Sequence, residues 1–95
     1  MPQYKITDEE LTARIIRGEN HLFEQVLERY RDKVAALIFS IIGSQSDLED
    51  IAQEVFLSAY KNLASFQGRS SLGTWIYRIC VNKCHDWQRR NYLRR

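Results

Sequence analysis

Residues 46–65, SDLEDIAQEVFLSAYKNLAS, decide the fold. Laid on a helical wheel, Leu48, Ile51, Ala52, Val55, Phe56, Ala59 and Leu63 gather on one side, which the three-and-four spacing of an α-helix produces and an alternating strand does not. Ser46 with Glu49 reads as a capping box, and Asp47, Glu49 and Asp50 suit the positive end of the helix dipole. The spacing predicts a helix running to about Ser65. Opposite its apolar side lie Asp47, Asp50, Gln53, Glu54, Leu57 and Lys61, a mainly acidic stripe with one leucine in its middle. A solvated face with a stray leucine is the bland reading, because single exposed leucines are common. A docking face is the other, with Leu57 as an apolar anchor and the charges around it orienting a basic partner helix.

Working outward, Asn20 is placed to cap a long helix on which Phe23, Val26, Leu27, Tyr30, Val34, Leu37, Ile38 and Ile41 share one side until Gly43 stops it. Before it, Thr7 with Glu10 opens a short helix that Gly18 closes near Arg17. Downstream, Phe66 to Ser71 breaks the periodicity, with Gly68 free to take positive φ and Ser70 or Ser71 able to cap a further helix from about Leu72. Pro2 is the only proline, and Arg94-Arg95 supplies no stop signal, as expected of one domain of a longer protein. The expected fold is all-α, a compact bundle of about four helices with a loop between the third and fourth.

The 95 residues suit a single domain, residues 1–95, and are too few for two. With 44% hydrophobic and 27% charged residues the chain is too apolar for disorder. The longest apolar stretch, Val34 to Ile42, is about half a membrane span, and no signal-peptide pattern opens the chain, so a cytoplasmic location is expected, without membrane contact. Cys80 and Cys84 stand one helical turn apart on an apolar side, as core fillers in a reducing compartment rather than a disulfide or zinc ligands. His85 points the other way, and His21 has no nucleophile or paired acid near it in the pattern, so neither metal, cofactor nor enzyme chemistry is expected.

The net charge of +2 conceals a split. Residues 1–73 carry eight Lys/Arg against eleven Asp/Glu, a sum of −3, whereas 74–95 carry six against Asp86 alone, a sum of +5. An acidic body with a basic end points to two unlike partners, one of them nucleic acid, unless the basic end is only a solvated helix. On that end Thr74, Arg78, Asn82, His85, Arg89 and Tyr92 form a stripe opposite Leu72, Ile76, Ile79, Cys80, Cys84 and Trp87. All six stripe residues donate hydrogen bonds: Arg pairs with phosphate, Asn reads base edges, and aromatic rings stack. The loop before it offers one ring, Phe66, with Gly68 and the hydroxyls of Ser70 and Ser71, a composition fit to pocket an unstacked base if Phe66 does not simply fold inward.

Residues 47–57, DLEDIAQEVFL, and 66–79, FQGRSSLGTWIYRI, together resemble region 2 of the bacterial sigma factors, specifically the extracytoplasmic-function group, and the resemblance covers nearly the whole chain. It implies a non-enzymatic transcription initiation domain that binds RNA polymerase core, helps melt the promoter, and captures the non-template strand of the minus-ten element. An anti-sigma factor is a further implied partner. Carried over by position, Asp50, Gln53 and Glu54 correspond to contacts with the coiled coil of the β′ clamp, with Asp47, Leu57 and Lys61 on the same face. The stretch Phe66, Gln67, Gly68, Arg69, Ser70 and Ser71 corresponds to the specificity loop that receives an extruded base, with Asn62 and Ser65 leading into it. Tyr77, Arg78, Asn82 and Asp86 correspond to positions at or near the DNA surface of the last helix, and Thr74, His85 and Arg89 join them as expected DNA contacts from the donor stripe. Tyr77 and Asp86 lie off the donor stripe. Gly73 stands where relatives carry a larger residue, an expected loosening of the helix start by about 1 kcal/mol relative to Ala. The reading from another class is a helical protein-interaction module without specific DNA binding.

Overall fold

A computed structural model describes residues 6–93; Pro2 and the Arg94-Arg95 end lie outside them. The chain forms α1 (Asp8–Ile16), α2 (Phe23–Ile42), α3 (Leu48–Asn62) and α4 (Leu72–Leu93), with short 3-10 turns at Asn20–Leu22 and Leu63–Ser65, and no strand among the described residues. The bundle is therefore all-α, as the periodicity requires.

Helix α1 starts as its spacing demands: Thr7 is extended and its Oγ1 accepts the Glu10 N–H at 3.1 Å. It ends at Gly18, whose φ of 119° suits only glycine. Two bonds from Arg14 to Glu19, at 2.7 and 3.1 Å, brace the turn that follows. Gly43 closes α2 in the left-handed region (φ 74°), with its N–H donating to the Phe39 carbonyl at 2.8 Å.

The other two expected caps do not form. A 3-10 turn leads into α2 without a side-chain cap, because Leu22 already has helical backbone and its N–H donates to the Glu19 carbonyl at 3.0 Å. At α3 the cap position belongs to Asp47, not Ser46, and its backbone (φ −104°, ψ −1°) is not the extended form that aims a side chain at the first turn. Ser46 instead bonds Ser44 and Asp47. Helix α3 also stops at Asn62, its last turn to Ser65 tightening to 3-10.

The core sits where α2, α3 and α4 pack on one another, with α1 closing it from the side. Val26, Val34 and Ile38 of α2, Val55 and Ala59 of α3, Ile76, Cys80 and Cys84 of α4, and Leu11 of α1 are fully buried. Each larger apolar chain contributes roughly 1.5–3 kcal/mol of burial. A polar tie joins α1 to α2: the Tyr30 hydroxyl donates to Asp8, whose other oxygen accepts from Arg29 at 2.8 Å, while Arg29 also reaches the Ile6 carbonyl at 2.7 Å.

Candidate partner and nucleic-acid surfaces

Because Ile51, Val55, Phe56, Ala59 and Leu63 turn inward, α3 presents Asp50, Gln53, Glu54 and Lys61 to solvent, with Asp47 half-buried at its start. Leu57 lies among them, 55% exposed, while Ile51, Val55 and Phe56 of the same helix are covered. The expected stripe is thus assembled. Beside it the structure adds a groove between α2 and α3 of about 920 Å³, with Phe23, Leu27, Ala35, Phe56, Leu57 and Tyr60 in its walls and Arg31, Asp32, Glu49 and Gln53 among them. Phe23 and Tyr60 meet edge to face at 5.1 Å across it. The sequence reading missed this groove. Its signal was Tyr60 one helical turn beyond Leu57, on the same flank.

On α4 the whole donor stripe, Thr74, Arg78, Asn82, His85, Arg89 and Tyr92, is exposed. Two shallow hollows run along it. The first, about 340 Å³, is lined by Thr74, Tyr77, Arg78, Val81 and Asn82. The second, about 570 Å³, is lined by His85, Gln88, Arg89 and Tyr92. Tyr77, off the stripe by the wheel, therefore shares a hollow with Arg78 and Asn82. Asp86 is half-buried and forms an ion pair with Arg89 one turn on. A second pair links the surfaces: Arg90 of α4 stands 4.0 Å from Glu54 of α3.

Between the two helices the loop is set by local bonds. Gly68 takes φ 72°, and Ser71 caps α4 by accepting the Thr74 N–H at 3.1 Å. Ser70 donates to the Ser71 carbonyl. Asn62 and Ser65 are exposed but spend their side chains on the backbone of α3, at the Ser58 and Asn62 carbonyls. Phe66 folds partly inward, its ring 5.0 Å from Trp75 and tilted 41°. That packing leaves a hollow on either side of the loop. One, about 160 Å³, is lined by Ser65, Phe66, Gln67, Arg69, Ser70, Trp75 and Arg78. The other, about 70 Å³, is lined by Phe66, Gly68, Ser70, Ser71 and Leu72 with Asp8, Glu9 and Thr12 of α1. Trp75 and the α1 residues had no assigned role in the sequence reading.

Burial pushes the Cys80 thiol up to about 12 and raises that of Cys84, so both stay protonated in the core. Among the described residues no group of three His, Cys, Asp or Glu is placed to hold a metal ion. His21 and His85 are both exposed. No helix among the described residues is long and apolar enough to cross a membrane.

A four-helix bundle with an acidic α3 face, a basic α4 face and a serine-rich bend between them has the architecture of a sigma-70 region 2 domain. The chain belongs to that family: Sigma-70 region 2 matches residues 26–94. Its relatives place it in the extracytoplasmic-function group. It is 38% identical over 83 residues to the ECF RNA polymerase sigma-E factor of Haemophilus influenzae and 39% identical over 83 residues to that of Escherichia coli K12. Each alignment covers 87% of this chain and 43% of the relative, so the chain spans less than half the length of these proteins. Among solved structures, the bundle matches an engineered region 2 of sigmaE in complex with GTAAAA, at TM-score 0.89 and 32% identity over 98% of this chain and 97% of that one. It also matches CnrH in complex with the cytosolic domain of CnrY, at TM-score 0.76 and 28% identity over 83% of this chain and 51% of that one.

Proposed function

We propose that the chain is a non-enzymatic promoter-melting domain. It docks on RNA polymerase core through the α3 face and holds the non-template strand of the minus-ten element along the loop and α4. The observation that carries this is the match over nearly the full chain to a sigmaE region 2 in complex with GTAAAA, set beside the six exposed donors of α4. Phosphates fall to Arg78 and Arg89, base edges to Asn82, and an unstacked base to the hollow where Phe66, Trp75, Arg69 and Arg78 offer rings and cations together. Asp50, Gln53 and Glu54 around Leu57 fit the β′ clamp coiled coil. An anti-sigma factor is the second protein partner in this reading, supported by CnrH in complex with the cytosolic domain of CnrY. The polymerase performs the chemistry, and the domain is one part of a longer factor that acts in the bacterial cytoplasm.

The test is equilibrium binding of the 95-residue chain to minus-ten non-template strands and to scrambled strands over a range of salt. Preference for the minus-ten strand, with affinity falling as salt rises, is the expected result. Equal binding to both would favour a protein-interaction module whose basic end serves only solubility.

A further inference from the structure

Lys33 of α2 stands over the ring of Tyr30, its Nζ 6.0 Å from the centroid. The residue is exposed, and among the described residues it enters no ion pair. Its neighbours one turn away on the helix are Arg29, Tyr30, Ala36 and Leu37, none of them a carboxylate. Arg29 is spent on Asp8 and the Ile6 carbonyl. Arg31 and Asp32 line the groove on the α3 side of the helix, so Lys33 is the free cation of the other flank. A lysine braced by a ring rather than an acid keeps its donors for a group outside the fold.

What lies beside it follows from how α4 is laid on α2. Gly73 meets the Tyr30 ring near the start of α4, and near its end Gln88 donates to the Ile41 carbonyl at 3.4 Å. The two helices therefore run in the same direction, and Tyr77 comes level with Lys33. Both hollows along the donor stripe reach this flank of α4, one through Tyr77 and Val81, the other through Gln88. On the opposite flank α4 meets acid, where Arg90 faces the exposed Glu54 of α3. A polyanion lying along α4 is thus drawn towards α2 and repelled from α3.

We infer that the nucleic-acid surface crosses from α4 onto α2, where Lys33 takes a backbone phosphate of the strand lying along the hollow of Tyr77 and Val81. An ammonium is a point charge that grips phosphate and reads no base, so Lys33 fixes the path of the strand and adds affinity for every sequence alike. The inference rests on the single-strand reading above.

The experiment measures binding of the 95-residue chain to GTAAAA flanked by thymidines on both sides, and to a scrambled strand with the same flanks, over a range of salt. Wild type is compared with Lys33→Gln, Lys33→Arg and Arg17→Gln, the last removing an equal charge from the exposed end of α1. Lys33→Gln should weaken both strands by roughly fivefold and lower the slope of log affinity against log salt by about 0.7, the share of one phosphate contact on a single strand. Lys33→Arg should keep affinity and slope, and Arg17→Gln should lose less than about twofold. The melting temperature of Lys33→Gln should stay within about 3 °C of wild type, because the residue is exposed. If Lys33→Gln matches wild type, or Arg17→Gln loses as much, Lys33 holds no phosphate, while a wild-type preference for GTAAAA leaves the single-strand reading standing. If wild type binds neither strand, both fall together.

Discussion

Gly73 sits close against the hydroxyl end of the Tyr30 ring: a Cβ at residue 73 would stand 3.1 Å from Cε1 and 3.2 Å from the hydroxyl oxygen. That hydroxyl runs on to Asp8, so the second residue of α4 decides whether α2 and α1 are tied together. Gly73 therefore does more than loosen the start of a helix. It leaves the space through which a buried tyrosine reaches its carboxylate.

Gly73→Ala is expected to destabilise the domain by about 1 kcal/mol. Alanine recovers up to about 1 kcal/mol of helix propensity, but Tyr30 is 9% exposed and anchored at its tip, so the ring yields only by stretching its bond to Asp8. A hydrogen bond to a charged group is worth about 1.5–3 kcal/mol. Urea denaturation measures the balance, and a gain in stability would show that the ring gives way freely.

Tyr30→Phe should cost about 1.5–3 kcal/mol at neutral pH through the lost bond to Asp8. It should also change the alkaline limb of the stability curve. Burial first, and then the bond to the Asp8 carboxylate, raise the Tyr30 pKa above the usual tyrosine value. The unfolded chain thus loses this proton from about pH 10 while the folded one keeps it, so stability is fully present below that pH and declines as pH rises beyond it. The Phe variant should show a flatter decline between pH 10 and 11, and parallel curves would remove Tyr30 as the cause.

Leu57→Ala and Glu54→Lys should weaken association with the β′ clamp helices by at least fivefold while leaving unfolding within about 0.5 kcal/mol of wild type, since neither side chain is part of the core. Pull-down against the isolated clamp fragment and thermal melts check the two halves. Undiminished binding would take this face out of the docking surface.

Asp86→Asn should strengthen binding to every single strand by about threefold and steepen its salt dependence, because Arg89 is held by the Asp86 carboxylate and the substitution releases a cation as well as removing an anion. The sequence of the strand should not matter. A gain confined to one sequence would mean that Asp86 reads a base.

What was legible in the chain was local. Gly43 and Gly68 adopt the positive φ their context required, and the wheels of α3 and α4 sort buried from exposed as built. The capping boxes divided: Thr7 caps because the backbone before α1 is extended, whereas the turns ahead of α2 and α3 are already helical and leave Asn20 and Ser46 nothing to cap. What could not be read depends on chain segments that meet only after folding. Phe66 turns partly inward because Trp75 offers it a ring. Tyr60 becomes a groove wall because Phe23 arrives opposite, and Asp8 of α1 finds Arg29 and Tyr30 only once α1 has packed on α2. No periodicity carries such meetings.

The contact between Glu54 and Arg90, at 4.0 Å and half exposed on both sides, is weak enough to be traded. A lysine or arginine from outside that claims Glu54 sets Arg90 loose beside Arg89, and a nucleotide that claims Arg90 leaves Glu54 with an unspent charge. Whatever the two visitors are, each makes room for the other, and thermodynamic reciprocity requires that the favour be returned in equal measure.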